Sequence, residues 1–381
     1  MGNILAPWIA CLVGGDKSDS HYGSYPLSFG ALLGLLNEVI GVSKAFIDMW
    51  RWLRRRFRRK KPDEIEEKAE EGVATRFLKL FSVHGVHKNQ IPGFFKHGLR
   101  VADVTSEHTL LPKLTEELLY DACKLFNVRR EWLDGVDKQI YPEYDFYKGP
   151  QDFEDFLKTF SEPEALDGVV LFPEDLALGN FSPALIVIEE PIGTIGDKTI
   201  YRYYICNNWL FSYWKSRAYL TACVAIAWKK GLDLIGRYTS CEYIEKLSEC
   251  QTFLEYGLDS ALPRSGNLFQ PENMALNPEA YMLGVNPEGK GYGAIMALEL
   301  WLQLAGEGFM ETGMIEVYNS AGIKALFSKE LEEKKRQYPY WHTGLPPEER
   351  RHKWMRKLKN MAARMTGRPQ IMSLDELVQN D

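Results

Sequence analysis

The chain reads ACKLFNVRREWLDG over residues 122–135, and this stretch closes a run of short segments with helix-forming patterns. Just before it, Thr115 precedes two glutamates, which is a typical helix start because a hydroxyl cap and early carboxylates suit the positive end of the helix. Leucine, alanine and phenylalanine then recur at helical spacing, so one face is predicted to be buried. The stretch predicts the last two helices of a small bundle.

Similar signals upstream predict three earlier helices. Apolar residues recur at helical spacing before Gly85, which is expected to end the first helix. Asn89 is predicted to cap a second helix that has Pro92 in its first turn and ends at Gly98. Ser106 is a candidate cap for a short third helix.

This order of short helices resembles the repressor/Cro-like helix-turn-helix family over residues 73–135. The resemblance is carried by the FNV step at residues 126–128, the WLDG turn at residues 132–135 and Gln90 early in the second helix. It implies a DNA-binding module whose segment at residues 100–108 enters the major groove of the duplex.

Charge in this region points to the same class of partner. The groove segment departs from the family pattern, because it contains Asp103 and Glu107 and few side chains that read bases. Residues 73–100, in contrast, contain Lys and Arg without any Asp or Glu, as a phosphate-facing surface would. The alternative is an ordinary helical subdomain with solvated lysines. Contacts to double-stranded DNA are predicted for Arg76, Lys79, Lys88, Gln90, Lys96 and Arg100.

Residues 1–72 are predicted to form a helical arm. An apolar segment there is interrupted by charged residues too often to span a membrane. It is followed by a basic segment that starts at Arg51 and ends at Lys61, and then by an acidic run. Three interpretations stay open for the arm. It could lie on an anionic membrane surface, grip DNA phosphates, or pack against the rest of the protein.

Beyond residue 138 the pattern changes to β-strands. Three apolar or aromatic stretches, two of them joined by a turn-rich connection, predict an antiparallel hairpin and a further strand. A long helix is predicted over residues 208–230, followed by a fourth extended segment and a helix that starts near Ser240. This region is therefore predicted to be a small α+β domain with an antiparallel sheet.

Aromatic residues and arginines lie close together in this α+β region. They could line a pocket for a flat or anionic ligand, or they could form an ordinary core. The candidate pocket residues are Tyr201, Arg202, Tyr204, Trp209, Trp214 and Arg217.

The last part of the chain, residues 261–381, is loop-rich and then helical. The loop GVNPEGKG at residues 284–291 resembles a phosphate-binding loop but has Gly291 where a magnesium-binding hydroxyl is required. No nucleotide or other cofactor is therefore predicted. A basic amphipathic helix is expected after Pro347, and it could dock on the core, contact phosphates or fill a partner's groove.

Composition limits the remaining classes of function. No metal site is predicted, because the pair His84 and His87 has no Cys or carboxylate beside it. No catalytic constellation is predicted either, and an enzyme is therefore not favoured. The six cysteines lack paired short spacing, which favours a reducing, cytoplasmic location. A net charge of −6 argues against a protein that coats nucleic acid along its whole length.

The sequence thus predicts a mainly α-helical α+β protein that regulates by binding DNA and senses a ligand or partner through its α+β domain. The alternative is a non-enzymatic interaction protein that binds a protein partner and rests on a membrane through its basic arm. The oligomeric state is not predicted. The predicted domains are residues 1–72, 73–137, 138–260 and 261–381.

Overall fold

Five short helices open the part of the chain that the computed structural model describes, which comprises residues 71–174, 183–254, 268–313 and 320–343. Apolar spacing and local caps place them where the sequence predicts a bundle. We call residues 73–137 the helical module. Its helices are α1 (Val73–Val83), α2 (Ile91–Phe95), α3 (Glu107–Leu110), α4 (Glu116–Phe126) and α5 (Arg130–Leu133).

The helix caps are partly those predicted. The Ser106 hydroxyl accepts from the backbone N–H of Thr109, and the Thr115 hydroxyl accepts from that of Leu118, so both predicted caps are confirmed. The cap and end predicted for the second helix are wrong. His87, not Asn89, caps the turn that precedes α2. The helix ends at Phe95 and does not reach Gly98, because Lys96 adopts a left-handed conformation with φ of 56°.

A six-stranded sheet follows the helical module. The hairpin of the third and fourth strands is confirmed, and their neighbours are arranged in the order β1-β4-β3-β2-β5-β6. The strands are β1 (Glu143–Asp145), β2 (Asp167–Pro173), β3 (Pro183–Ile195), β4 (Lys198–Leu210), β5 (Asp233–Thr239) and β6 (Leu268–Phe269).

The prediction of an antiparallel sheet is wrong, because the sheet is mixed. β1 pairs with β4 and β2 pairs with β5 in parallel, while the other pairs are antiparallel. The hairpin has a local turn signal, whereas the parallel pairs join strands that lie far apart along the chain. The α+β class itself is confirmed, with twelve helices and this sheet in the described ranges.

Seven more helices are described outside the helical module. The long helix predicted from residue 208 starts later, because β4 continues to Leu210. The seven helices are α6 (Pro150–Leu157), α7 (Trp214–Lys229), α8 (Cys241–Ser248), α9 (Asn273–Leu276), α10 (Pro278–Met282), α11 (Tyr292–Gly306) and α12 (Ser320–Gln337).

Helices cover both faces of the sheet. One face, which includes Val169, Leu171 and Val187, belongs to the same hydrophobic core as the helical module and α8. Alternate residues such as Val170 and Ile186 are also buried, as strand geometry requires when the second face is covered. On that face α7 packs against β4 and β5, and α6 and α11 pack against α7. A continuous core therefore crosses the predicted boundary at residue 137.

Several predictions fall outside the described residues. These are the basic segment at residues 51–61, all but the last two residues of the predicted arm, and the basic helix expected after residue 347. Within the described ranges, no helix combines the length and apolar character that crossing a bilayer requires.

Candidate functional site

Arg76 and Lys79, two predicted DNA contacts on α1, are engaged within the protein. The Arg76 guanidinium donates to the backbone oxygens of Trp132 at 3.0 Å and Glu71 at 3.1 Å, and it lies 5.6 Å from the Trp132 ring centroid. Lys79 forms an ion pair with Glu71 at 3.1 Å. The Arg76 side chain thus links α1 to α5, while the Lys79 charge is already paired with that of Glu71.

Gln90 also has a local structural role. Its Oε1 atom accepts from the backbone N–H of His87 at 2.9 Å, while the His87 ring accepts from the N–H of Asn89. The two side chains together start the turn that leads into α2. Gln90 is exposed, but its oxygen is occupied by this bond.

Lys88, Lys96 and Arg100 are exposed and have no ion-pair partner among the described residues. Lys88 Nζ lies 3.5 Å from the backbone oxygen of Thr105, which places it beside the turn that follows Arg100. The backbone N–H of Arg100 donates to Asp103 at 2.8 Å, and this bond shapes the same turn. We call the surface formed by Lys88, Lys96 and Arg100 the basic turn.

The segment expected to enter a major groove is mostly a turn. Residues 100–106 lack regular structure, and α3 after them has only four residues. Hydroxyl groups hold the segment together. Thr109 Oγ1 donates to the backbone oxygen of Asp103 at 3.0 Å, and Thr105 Oγ1 donates to that of Ala102 at 2.8 Å. The segment is thus a hydrogen-bonded polar loop rather than a helix of groove length.

Two exposed basic residues near this turn were missed by sequence reasoning. His108 lies on α3 and Lys113 in the turn that follows it, and no ion pair is described for either. The only signal in the sequence was that both residues lie close to Arg100. The acidic residues Asp103 and Glu107 interrupt the basic pattern there.

Three of the candidate pocket residues lie together on β4. The Arg202 guanidinium binds both oxygens of Glu190 at 2.6 Å, and the Tyr204 hydroxyl donates to the same carboxylate at 2.6 Å. Burial raises the pKa of the Tyr204 hydroxyl, which keeps this donor protonated. The Arg202 charge is therefore satisfied inside the fold, with half-buried Tyr201 next to it in sequence.

Arg217 is fully buried at the start of α7. Its guanidinium donates to the backbone oxygens of Phe211, Tyr281 and Leu283 at 2.9, 3.0 and 2.8 Å. Burial lowers its pKa to about 9, because carbonyl oxygens only partly replace the lost hydration. Arg217 therefore ties α7 to α10 and the loop after it.

The two remaining candidate pocket residues, Trp209 and Trp214, have other neighbours. Trp209 is buried at the end of β4, and Trp214 starts α7 with its ring 6.2 Å from that of Tyr292. The structure thus brings together Arg202 and Tyr204 on the Glu190 carboxylate but not the whole set. Tyr201 packs against the core that the sheet shares with the helical module.

No group of three or more His, Cys, Asp or Glu side chains that could hold a metal ion occurs in the described ranges. Comparison with protein-family models, curated proteins and solved structures finds no match for this chain. Among the described residues, the basic turn is the predicted contact surface that the structure leaves most open.

Proposed function

We propose that this protein is a DNA-binding regulator whose helical module contacts the phosphate backbone of duplex DNA through the basic turn. The supporting observation is that Lys88, Lys96 and Arg100 are exposed on neighbouring turns without ion-pair partners among the described residues. Such cations displace counterions from DNA, which favours binding. In this proposal the sheet region senses a ligand or protein partner.

The mode of contact follows from the short α3. A recognition helix reads bases by presenting several side chains along a major groove, and four residues supply little more than one turn. The exposed side chains of Lys88, Lys96 and Arg100 suit phosphate oxygens instead. We therefore expect binding with weak sequence preference and a strong dependence on salt.

The test is a gel shift with the full chain and duplex DNA at low salt. We expect the double variant Lys96→Glu with Arg100→Glu to bind at least about tenfold more weakly, because two phosphate contacts become repulsive. The matched control is Lys290→Glu with Lys324→Glu, which changes the net charge equally at exposed lysines outside the helical module. Thermal unfolding verifies that each variant is folded.

The proposal is contradicted if the basic-turn variant shifts duplex DNA as well as the wild type does, or if both double variants lose binding equally. A wild type that fails to shift DNA also overturns it.

The second candidate, a protein-docking role, is favoured by the exposed side chains of Val101, Leu111 and Tyr120 at 51%, 55% and 62%. Exposed apolar groups of this kind suit a protein partner better than DNA.

A further inference from the structure

An acidic side chain, that of Asp103, lies beside the basic turn, three residues after Arg100. A carboxylate next to cations that contact DNA opposes binding through its charge, because it repels the phosphates. Asp103 is half-buried, however, and its carboxylate accepts from a backbone N–H. This points to a structural use of the carboxylate at the turn.

Two reciprocal hydrogen bonds join Asp103 to the backbone of Arg100. The N–H of Arg100 donates to Asp103 Oδ2 at 2.8 Å, and the N–H of Asp103 donates in return to the backbone oxygen of Arg100 at 2.9 Å. The first bond repeats half of a capping box, in which a side chain three residues along the chain accepts the leading N–H. A bond to a carboxylate is also stronger than one to a neutral acceptor. Residues 100–103 are thus closed into one turn by the Asp103 side chain and backbone together.

The chain on either side of this turn is fixed by the fold. Leu99 before the turn and Val104 after it are buried in the core that the helical module shares with the sheet. Thr109 Oγ1 donates to the backbone oxygen of Asp103 at 3.0 Å, so α3 holds Asp103 in place. The conformation of residues 100–102 is therefore the freedom that remains, and the Asp103 carboxylate restricts it at Arg100.

The direction of the Arg100 side chain depends on this restriction. Arg100 is exposed and has no ion-pair partner among the described residues, so the fold directs its guanidinium through the backbone. The Asp103 carboxylate binds that backbone at the N–H of Arg100 itself. Lys88 Nζ lies 3.5 Å from the backbone oxygen of Thr105, two residues beyond Asp103, so the cations of Lys88 and Arg100 flank the same short segment.

We propose that Asp103 is a positioning residue for duplex DNA, whose carboxylate holds the backbone at Arg100 so that the Arg100 guanidinium reaches a phosphate. The inference rests on the proposed function, because it assigns a role within the same surface. It gives Asp103 an effect opposite in sign to that of its charge. Loss of a direct phosphate contact outweighs relief of the repulsion from one partly exposed carboxylate, because salt at 0.1 M screens such a charge beyond about 10 Å.

Two substitutions of Asp103 separate the effect of its charge from that of its hydrogen bond. Both Asp103→Asn and Asp103→Ala remove the charge, but only the asparagine keeps an oxygen that accepts the Arg100 N–H. In gel shifts of duplex DNA with the full chain, we expect Asp103→Ala to bind at least about threefold more weakly than the wild type. Asp103→Asn should bind at least as tightly as the wild type. The control Glu107→Ala removes an equal charge from the exposed first turn of α3 and should also bind at least as tightly.

A double-variant cycle shows whether Asp103 acts through Arg100. In the Arg100→Ala protein the phosphate contact is already lost, so adding Asp103→Ala should cause no further weakening. The slope of log affinity against log salt concentration should fall by about 0.9 in Asp103→Ala, as in Arg100→Ala, because each removes one phosphate contact. A general loss of folding would weaken binding in both backgrounds, and thermal unfolding of each variant measures it directly.

Tighter binding by Asp103→Ala than by the wild type overturns the positioning role, and so does equal binding by the alanine and asparagine variants. Further weakening by Asp103→Ala in the Arg100→Ala protein overturns it as well. Each of these results leaves the proposed function in place, provided that Lys96→Glu with Arg100→Glu still weakens binding. A wild type that fails to shift duplex DNA contradicts the proposed function itself and overturns both proposals together.

Discussion

His84 places a titratable ring inside the core between the helical module and the sheet. Its ring centroid lies 4.3 Å from that of Phe126 and 5.6 Å from that of Tyr203. Nδ1 donates to the backbone oxygen of Leu80 at 2.7 Å, and Nε2 has no partner among the described residues. Burial lowers the pKa of His84 to about 4, so the folded protein keeps this ring neutral.

His84 should make stability depend on pH. Its pKa is about 4 when folded and 6.5 in the unfolded chain, so only the unfolded chain takes up the proton between these values. The contribution of the neutral His84 ring to the free energy of unfolding is complete above pH 6.5. It is lost as pH falls towards 4, by about 3 kcal/mol in total.

Urea unfolding of wild type and His84→Leu at pH 7 and at pH 4.5 measures this effect. We expect the fall in unfolding free energy to be smaller in His84→Leu, and to be unchanged in the control His108→Leu, where the histidine is exposed. Equal falls in wild type and His84→Leu would show that other groups cause the pH dependence.

At the scale of single elements, α4 shows how both ends of a helix are set. The Thr115 hydroxyl accepts from the backbone N–H of Leu118 at 3.3 Å at its start. At its end Asn127 has a left-handed backbone with φ of 52°, and its side chain donates to the backbone oxygen of Tyr203 at 2.8 Å. The start thus depends on a local signal, while the end also joins the helix to β4.

Removal of the Thr115 hydroxyl should lower the free energy of unfolding by little more than the capping hydrogen bond contributes. Thr115→Ala is expected to lower the free energy of unfolding by about 1 kcal/mol, because Thr115 is exposed and its hydroxyl is the group that satisfies an N–H of the first turn. Thr115→Ser keeps the hydroxyl and should remain within about 0.5 kcal/mol of wild type. Chemical denaturation that finds no difference between the two variants would refute the role of this cap.

At the scale of the whole molecule, one core joins the helical module to the sheet. Tyr203 on β4 is buried in this core, where its ring contacts those of His84 from the helical module and Tyr141. Because the two parts bury their apolar faces against each other, neither can lose its packing without exposing the other.

Cooperative loss of both parts is therefore expected from one core substitution. Tyr203→Ala should lower the free energy of unfolding by about 3 kcal/mol and reduce amide protection from hydrogen exchange in α1 and α4 as well as in β3. The control Tyr340→Ala removes an exposed ring and should change neither. Full protection of α1 and α4 in the Tyr203→Ala protein would mean that the helical module is stable by itself.

Part of the candidate DNA surface could be predicted from the sequence. A basic stretch without acids was enough to select Lys88, Lys96 and Arg100, which the structure leaves exposed. It could not separate them from Arg76 and Gln90, since the partners of those side chains, the Trp132 and His87 backbones, are specified only by the folded geometry. The DNA contacts themselves stay a prediction.

The starts of α3 and α4 and the hairpin of β3 and β4 were determined by the sequence alone, because each depends on residues a few positions apart. The tertiary structure alone decided that β1 and β2 pair in parallel with β4 and β5. It also decided that Arg217 is buried while Lys96 is exposed. Burial and parallel pairing depend on contacts between distant parts of the chain, which no local pattern encodes.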